Sequence, residues 1–150
     1  MTDLRDLPVP RRSDFAHHRS ITTRWHDNDH YGHVNNVVYY AWFDTTVNGY
    51  LIEHSGTDTR DLDAIGLVVE TGCRYLQPLS FPQPVEVGLG VERLGRTSIT
   101  YRLAVFGADD VAAAIGRFTH VYVDRDTGRP TDVPAAVRRA VHALGPLPSV

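Results

Sequence analysis

Cysteine occurs once in 150 residues, at Cys73, which excludes an intrachain disulfide framework and a zinc site built on cysteines. An excess of positive charge is missing too: 15 Lys and Arg stand against 18 Asp and Glu, a net charge of −3 with the histidines neutral. A general polyanion binder is expected to be basic, so nucleic acid is not an expected partner. No run approaches the roughly 18 consecutive apolar residues of a membrane span, so no membrane partner is expected either. The first residues, MTDLRDLPVPRRSDFAHH, mix acids and bases without an apolar core. They do not read as a secretory signal, and the expected compartment is the cytoplasm. Repeats and low-complexity blocks are absent. What is present is ordinary for a soluble globular chain, 42% hydrophobic and 22% charged, at a length that suits one domain with a real core.

Residues 1–18 read as a polar leader and residues 19–150 as a single domain. Positions 20–27 (SITTRWHD) alternate, with Ile21, Thr23 and Trp25 on one side, and predict a strand. The stretch 35–54 (NNVVYYAWFDTTVNGYLIEH) is helix-length and free of proline, although Gly49 and its β-branched residues are mediocre helix formers. Strand-like runs then follow, with Leu67 to Tyr75 alternating, Val85 to Val91 sharing a face, and Thr97 to Val105 likewise. The last run, VAAAIGRFTHVYVD, is almost continuous. Hairpin-type connections fall at 94–96 and 107–110. A short helix fits 134–144, with Pro134 in its first turn and Gly145-Pro146 stopping it. The class is α+β, an antiparallel sheet on one long helix.

On a helical wheel Val34, Val38, Ala41, Thr45 and Ile52 share one side, with Tyr40, Val47 and Leu51 nearly opposite. A helix apolar all round must be covered on all sides, yet five strands cover only one of them. The remainder must be buried by loops, by a terminal helix or by another subunit. A homodimer is the expectation, because isologous pairing is the commonest way to hide such a surface.

The densest chemistry lies just before that helix, at residues 26–36, HDNDHYGHVNN. Calcium fits poorly: Asp27, Asp29 and Gly32 take loop positions one, three and six, but position twelve is Val38, where a bidentate glutamate is needed. Zinc lacks a third ligand at a convincing spacing from His30 and His33. No metal is therefore expected. A plain strand–turn–helix corner, with Gly32 in the turn and Asn35 or Asn36 capping the helix, accounts for part of the stretch. It does not account for Asp27, Asp29 and His33 crowded against the start of a helix that reads as buried.

Asp27-x-Asp29-x-x-Gly32-His33-Val34-Asn35-Asn36, followed by Tyr39 and Trp42-Phe43, resembles the hotdog-fold acyl-CoA thioesterases, in particular the 4-hydroxybenzoyl-CoA thioesterase-like family. The HVNN string also recurs in acyl-carrier-protein thioesterases. RYLQPLSFPQPVEV and DRDTGRPTDVPAAVRRA resemble the later turns of the same family, so the likeness covers most of residues 20–144. The resemblance implies a five-stranded antiparallel sheet wrapped around a long central helix, with a short C-terminal helix. It also implies active sites at a dimer interface, a homodimer or homotetramer, and hydrolysis of an acyl-CoA thioester without a cofactor.

In that family the second aspartate of the pair acts on the thioester carbonyl, as nucleophile or as base for a water. Here it is Asp29, and an aspartate carboxylate is ordinarily ionised at neutral pH. The amide of Asn36, in a helix first turn with unpaired N–H groups, matches the oxyanion donor. His33 matches the histidine that orients or polarises the substrate. Tyr31 stands where the plant acyl-carrier-protein enzymes have asparagine, so their catalytic set does not transfer. Asp44 aligns with an acid that contacts the ring hydroxyl in the hydroxybenzoyl branch, while a salt bridge or a solvent-facing edge of the helix is the simpler explanation. Arg96, with Thr97 and Ser98 in the hairpin, falls where the family places contacts to coenzyme A phosphates; a hairpin arginine is also commonly just solvated. Cys73 reads as a small core residue. The expected function is acyl-CoA thioesterase. The alternative is a non-catalytic hotdog module that binds acyl groups or a small ligand, and a hotdog hydratase is more distant.

Overall fold

The computed structural model describes residues 1–147. Its regular elements are β1 (His17–Ile21), α1 (Asn36–His54), β2 (Ala64–Tyr75), β3 (Val85–Leu94), β4 (Ser98–Phe106), β5 (Ala114–Asp124) and α2 (Ala135–Ala143). The strands pair antiparallel in one sheet, in the order β1-β3-β4-β5-β2. Against one face lies α1, whose Phe43, Val47 and Leu51 join Leu89, Tyr101 and Leu103 in the core. At the far end of α1 the Tyr50 hydroxyl donates to the Ala140 carbonyl at 2.7 Å and ties it to α2. This is the α+β hotdog arrangement that the sequence led one to expect. Residues 148–150 of the expected 19–150 domain lie outside the described residues.

The seat of α1 on the sheet is set by one small residue. Gly116 of β5 pairs with Leu103 of β4, and a Cβ at Gly116 would come within 2.5 Å of the Phe43 ring. Phe43 is wholly buried and has nowhere to go. Gly116→Ala is therefore expected to destabilise the fold by about 1–3 kcal/mol, as overpacking does. Urea unfolding checks this as a lower midpoint with an unchanged slope.

The first strand differs from the expected 20–27. β1 pairs with β3 from His17↔Leu89 to Ile21↔Val85 and stops there. The reason is Asp27, which is 1% exposed. Its carboxylate accepts the Arg24 backbone N–H at 2.7 Å and the Arg24 guanidinium at 3.0 and 2.9 Å. Residues 25–27 thereby close into a 3-10 turn that turns Trp25 outward. The apolar alternation runs on past the point where pairing ends.

Residues 1–18, read as a polar leader, contribute two buried side chains, Leu7 and Phe15, and the start of β1. The Arg74 guanidinium donates to the Leu4, Arg5 and Leu7 carbonyls, and that of Arg117 donates to the Thr2 carbonyl at 2.7 Å. This segment thus lies across β2 and β5.

Two apolar surfaces stay uncovered. On α1 the sheet buries Tyr39, Trp42, Phe43, Thr46, Val47, Tyr50 and Leu51, while Val37 and Ile52 on the other side remain exposed. Next to them β2 forms a sheet edge whose Leu67, Val68 and Val69 are exposed. Among the described residues no helix is long and apolar enough to cross a membrane.

Candidate active site

The chain passes from β1 to α1 through a loop pinned at several points. The Thr23 hydroxyl donates to the Gln83 carbonyl at 2.8 Å, and the Phe81 N–H donates to Asn28 Oδ1 at 2.9 Å. The Val34 N–H donates to the Leu79 carbonyl at 2.7 Å, and the Asn35 N–H to the Asp27 carbonyl at 2.8 Å. Asp27 is thus wholly engaged in holding the loop.

Between these anchors Asp29 to Gly32 form a tight turn. The Gly32 N–H donates to the Asp29 carbonyl at 3.1 Å, and the Asp29 N–H donates to the His33 carbonyl at 2.8 Å. Gly32 has φ +83°, a left-handed conformation that glycine adopts without steric cost. The Tyr31 N–H donates to Asp29 Oδ1 at 2.8 Å and fixes the carboxylate. The other carboxylate oxygen, Oδ2, has no hydrogen-bond partner among the described residues.

Asp29, His33, Asn36, Tyr39, Tyr75 and Gln77 line a groove of about 370 Å³. Asn35 caps α1, its Oδ1 accepting the Val37 N–H at 3.2 Å and its carbonyl the Val38 N–H at 3.0 Å. The Asn36 N–H, at the first helical position, has no acceptor among the described residues. It sits where the helix carries partial positive charge. The Tyr75 hydroxyl donates to the Asn36 carbonyl at 2.9 Å and clamps the end of β2 to the start of α1. Burial, with Cys73 beside it, pushes the Tyr39 phenol up to about 12, so this wall is uncharged. Burial likewise pushes the Cys73 thiol up to about 11, which makes it a poor nucleophile at neutral pH. Among the described residues no three His, Cys, Asp or Glu side chains are placed to hold a metal ion. A carboxylate and an unpaired helix N–H on residues that line one groove suit attack on a carbonyl, with an oxyanion donor beside it.

The fold therefore gathers Asp29, His33 and Asn36. It does not gather the rest. Tyr31 is exposed, tilted against His30 with ring centroids 3.9 Å apart, and does not line the groove. Asp44 lies about 12 Å farther along α1 by helical rise. It is exposed, and its Oδ1 accepts from Asn48 Nδ2 at 3.0 Å. Arg96, Thr97 and Ser98 are at the other end of the sheet: Tyr75 of β2 pairs with Ala114 at the start of β5, whereas Ser98 pairs with Val121 near its end. Arg96 pairs there with Asp132 at 2.5 Å, and the Thr97 carbonyl accepts the Tyr122 N–H at 2.8 Å. Within one chain this hairpin and the groove are apart, because the antiparallel strands carry them to opposite ends.

The far wall, Tyr75 to Pro78, was not anticipated as part of the site. The signal available was RYLQPL, a strand end running into a proline turn, but its meeting with Asn36 is a contact across 39 residues.

The sequence profile of the thioesterase-like superfamily matches residues 23–141. The PA5185 protein of Pseudomonas aeruginosa strain PAO1 is 50% identical, with a TM-score of 0.90, over 95% of this chain and 100% of that one. A DHNA-CoA thioesterase of Staphylococcus aureus is 22% identical, with a TM-score of 0.74, over 85% of this chain and 91% of that one. The SAV2348 protein of Staphylococcus aureus, solved in complex with CoA, is 18% identical, with a TM-score of 0.80, over 89% and 86%. At those identities the two staphylococcal structures show a shared fold. Comparison with curated proteins returns no match. With the profile spanning the Asp29 loop, the whole sheet from β2 onward and most of α2, the chain belongs to the thioesterase-like superfamily.

Proposed function

We propose that the protein is an acyl-CoA thioesterase, hydrolysing an acyl-CoA to the free acid and CoA. One observation carries this reading: Asp29, held through Oδ1 with Oδ2 unpartnered, lines the same groove as Asn36, whose N–H is unpaired. Asp29 attacks the thioester carbonyl itself, forming a mixed anhydride that water then hydrolyses to the free acid, or takes a proton from the water that attacks the carbonyl. The Asn36 N–H stabilises the oxyanion that forms, and on its collapse the C–S bond breaks. The leaving CoA thiolate takes a proton from the protonated Asp29 in the base route, or from water in the nucleophile route. His33 lines the groove and orients or polarises the carbonyl. A single oxyanion donor is worth on the order of 10²–10³ in rate. Membership of the thioesterase-like superfamily supports the reaction, and the CoA complex of a structural neighbour supports CoA as the thiol.

The working unit is a homodimer, formed where β2 pairs antiparallel with its copy and the exposed sides of the two α1 helices meet. Both surfaces are apolar and adjacent, and an unpaired apolar edge is a liability unless it is covered. A two-fold axis at this edge reverses the strand direction. The hairpin of one subunit then approaches the Asp29 groove of the other. Arg96, Thr97 and Ser98 serve there as contacts for the CoA phosphates across the interface, and Asp44 lies on the helix face that meets the partner.

Arg96→Ala is accordingly expected to raise KM for acyl-CoA about fivefold with kcat nearly unchanged, the size and pattern of a lost exposed charge contact. An acyl-pantetheine, which lacks the nucleotide, should show no such change. Equal losses on both substrates would assign the hairpin to folding alone.

A further inference from the structure

A second cavity lies between α1 and the sheet, at the end away from Asp29. Its volume is about 230 Å³, and its lining includes Asn48, Leu51, Gly66, His120, Tyr122 and Val137, together with Arg60 and Arg125. His120 is 3% exposed and is surrounded edge-on by Tyr101, Phe118 and Tyr122. Its Nδ1 has no hydrogen-bond partner among the described residues. A buried imidazole nitrogen normally has one, and the exceptions need an explanation. Burial holds the ring down to about 4, so it is neutral at physiological pH and offers one N–H and one lone pair. On the helix side Asn48 donates through Nδ2 to Asp44, while its Oδ1 accepts from no described residue. Above the ring stands Gly66 of β2, where a Cβ would come within 3.2 Å of His120 Cγ and Tyr122 Cζ and 3.3 Å of His120 Nδ1. The bare backbone at Gly66 is what keeps space beside that nitrogen.

The position of the cavity matters as much as its lining. Ala64, Ile65 and Gly66 begin β2, and Tyr75 ends it. Antiparallel pairing of two β2 edges brings the first of these against the last. In the homodimer proposed above, the cavity of one subunit opens beside the Asp29 groove of the other.

We propose that this cavity receives the acyl group of the thioester held at the partner's Asp29 groove, and that His120 selects acyl groups carrying a hydroxyl or oxo substituent over plain hydrocarbon ones. The inference rests on the thioesterase reading and names its substrate class. Leu51 and Val137 supply apolar walls for the acyl body. His120 and Asn48 supply a donor and acceptors for a polar substituent, which a hydrocarbon acyl group leaves unpaired.

His120→Phe tests this, since it keeps a flat ring and removes both nitrogens. The parent and the variant are assayed on 4-hydroxybenzoyl-CoA against benzoyl-CoA, and on 3-hydroxyhexanoyl-CoA against hexanoyl-CoA. The parent is expected to favour the hydroxylated member of at least one pair about tenfold in kcat/KM, the scale of one buried hydrogen bond, and in His120→Phe that ratio falls towards one. An unchanged ratio in the variant, or no preference in a parent that hydrolyses these thioesters, overturns the assignment and leaves the thioesterase reading standing. A parent that hydrolyses none of the four but releases thiol from other acyl-CoAs overturns the assignment alone, and one that releases thiol from no acyl-CoA overturns both. If His120→Phe does not fold, Gly66→Ala replaces it. Narrowing the cavity should lower the hexanoyl-to-acetyl ratio of kcat/KM about tenfold, and an unchanged ratio again overturns the assignment.

Discussion

Asp29→Asn should lower kcat by at least about a hundredfold while the melting temperature stays close to that of the parent. The substitution keeps the shape of the side chain and an oxygen at the position that accepts the Tyr31 N–H, so the turn has its hydrogen bond. It removes the negative charge from the oxygen that faces no protein partner. Loss of a general base alone removes about 10²–10⁴ in rate, or roughly 3–5 kcal/mol of barrier stabilisation, and loss of a nucleophile removes no less. Asp27→Asn is the control with the opposite profile. The Asp27 carboxylate is spent on Arg24 and on closing the 3-10 turn, so its loss is expected in stability more than in kcat. Steady-state rates measured beside thermal melts separate the two. Turnover by Asp29→Asn within a few-fold of the parent would remove Asp29 from the chemistry.

The second large effect concerns assembly. Leu67→Lys with Val69→Lys places two charges on the exposed edge strand without touching the core. Unpaired charges trapped in an interface cost several kcal/mol, and about 4 kcal/mol corresponds to a thousandfold rise in the dimer dissociation constant. Light scattering at micromolar concentration should give twice the chain mass of 16.7 kDa for the parent and the single-chain mass for the variant. The variant should retain a cooperative melt and lose activity per chain, because its groove no longer meets the partner's hairpin and cavity. A parent that scatters as a monomer would remove the interface from the account.

The helix and the later strands were legible because their signals are local. α1 begins at Asn36, one residue inside the expected start, with Asn35 as its cap, and ends at His54 as expected. α2 spans Ala135–Ala143 between the Pro134 and Gly145-Pro146 boundaries. The Asp29, His33 and Asn36 cluster was legible for the same reason, since a single turn and a helix start assemble it from residues 29–36. β1 was displaced because a polar HHRSI strand has no alternating signature and is specified by its partner β3, far along the chain. The separation of Arg96 from the groove follows from strand direction, which no local pattern encodes. The His120 cavity depends on β2, β5 and α1 meeting around the missing side chain of Gly66, and a lone histidine in an apolar strand announces none of this.

The most direct measurement is the release of free thiol from a panel of acyl-CoAs, aromatic and aliphatic, followed with DTNB beside a direct assay of acyl-CoA binding. The account predicts thiol release in step with free acid, with kcat/KM of about 10⁴ M⁻¹s⁻¹ or more on the best substrate and its collapse in Asp29→Asn. Stoichiometric binding of acyl-CoA with thiol release no faster than in buffer would contradict it, and would make the protein a binding module on a thioesterase fold.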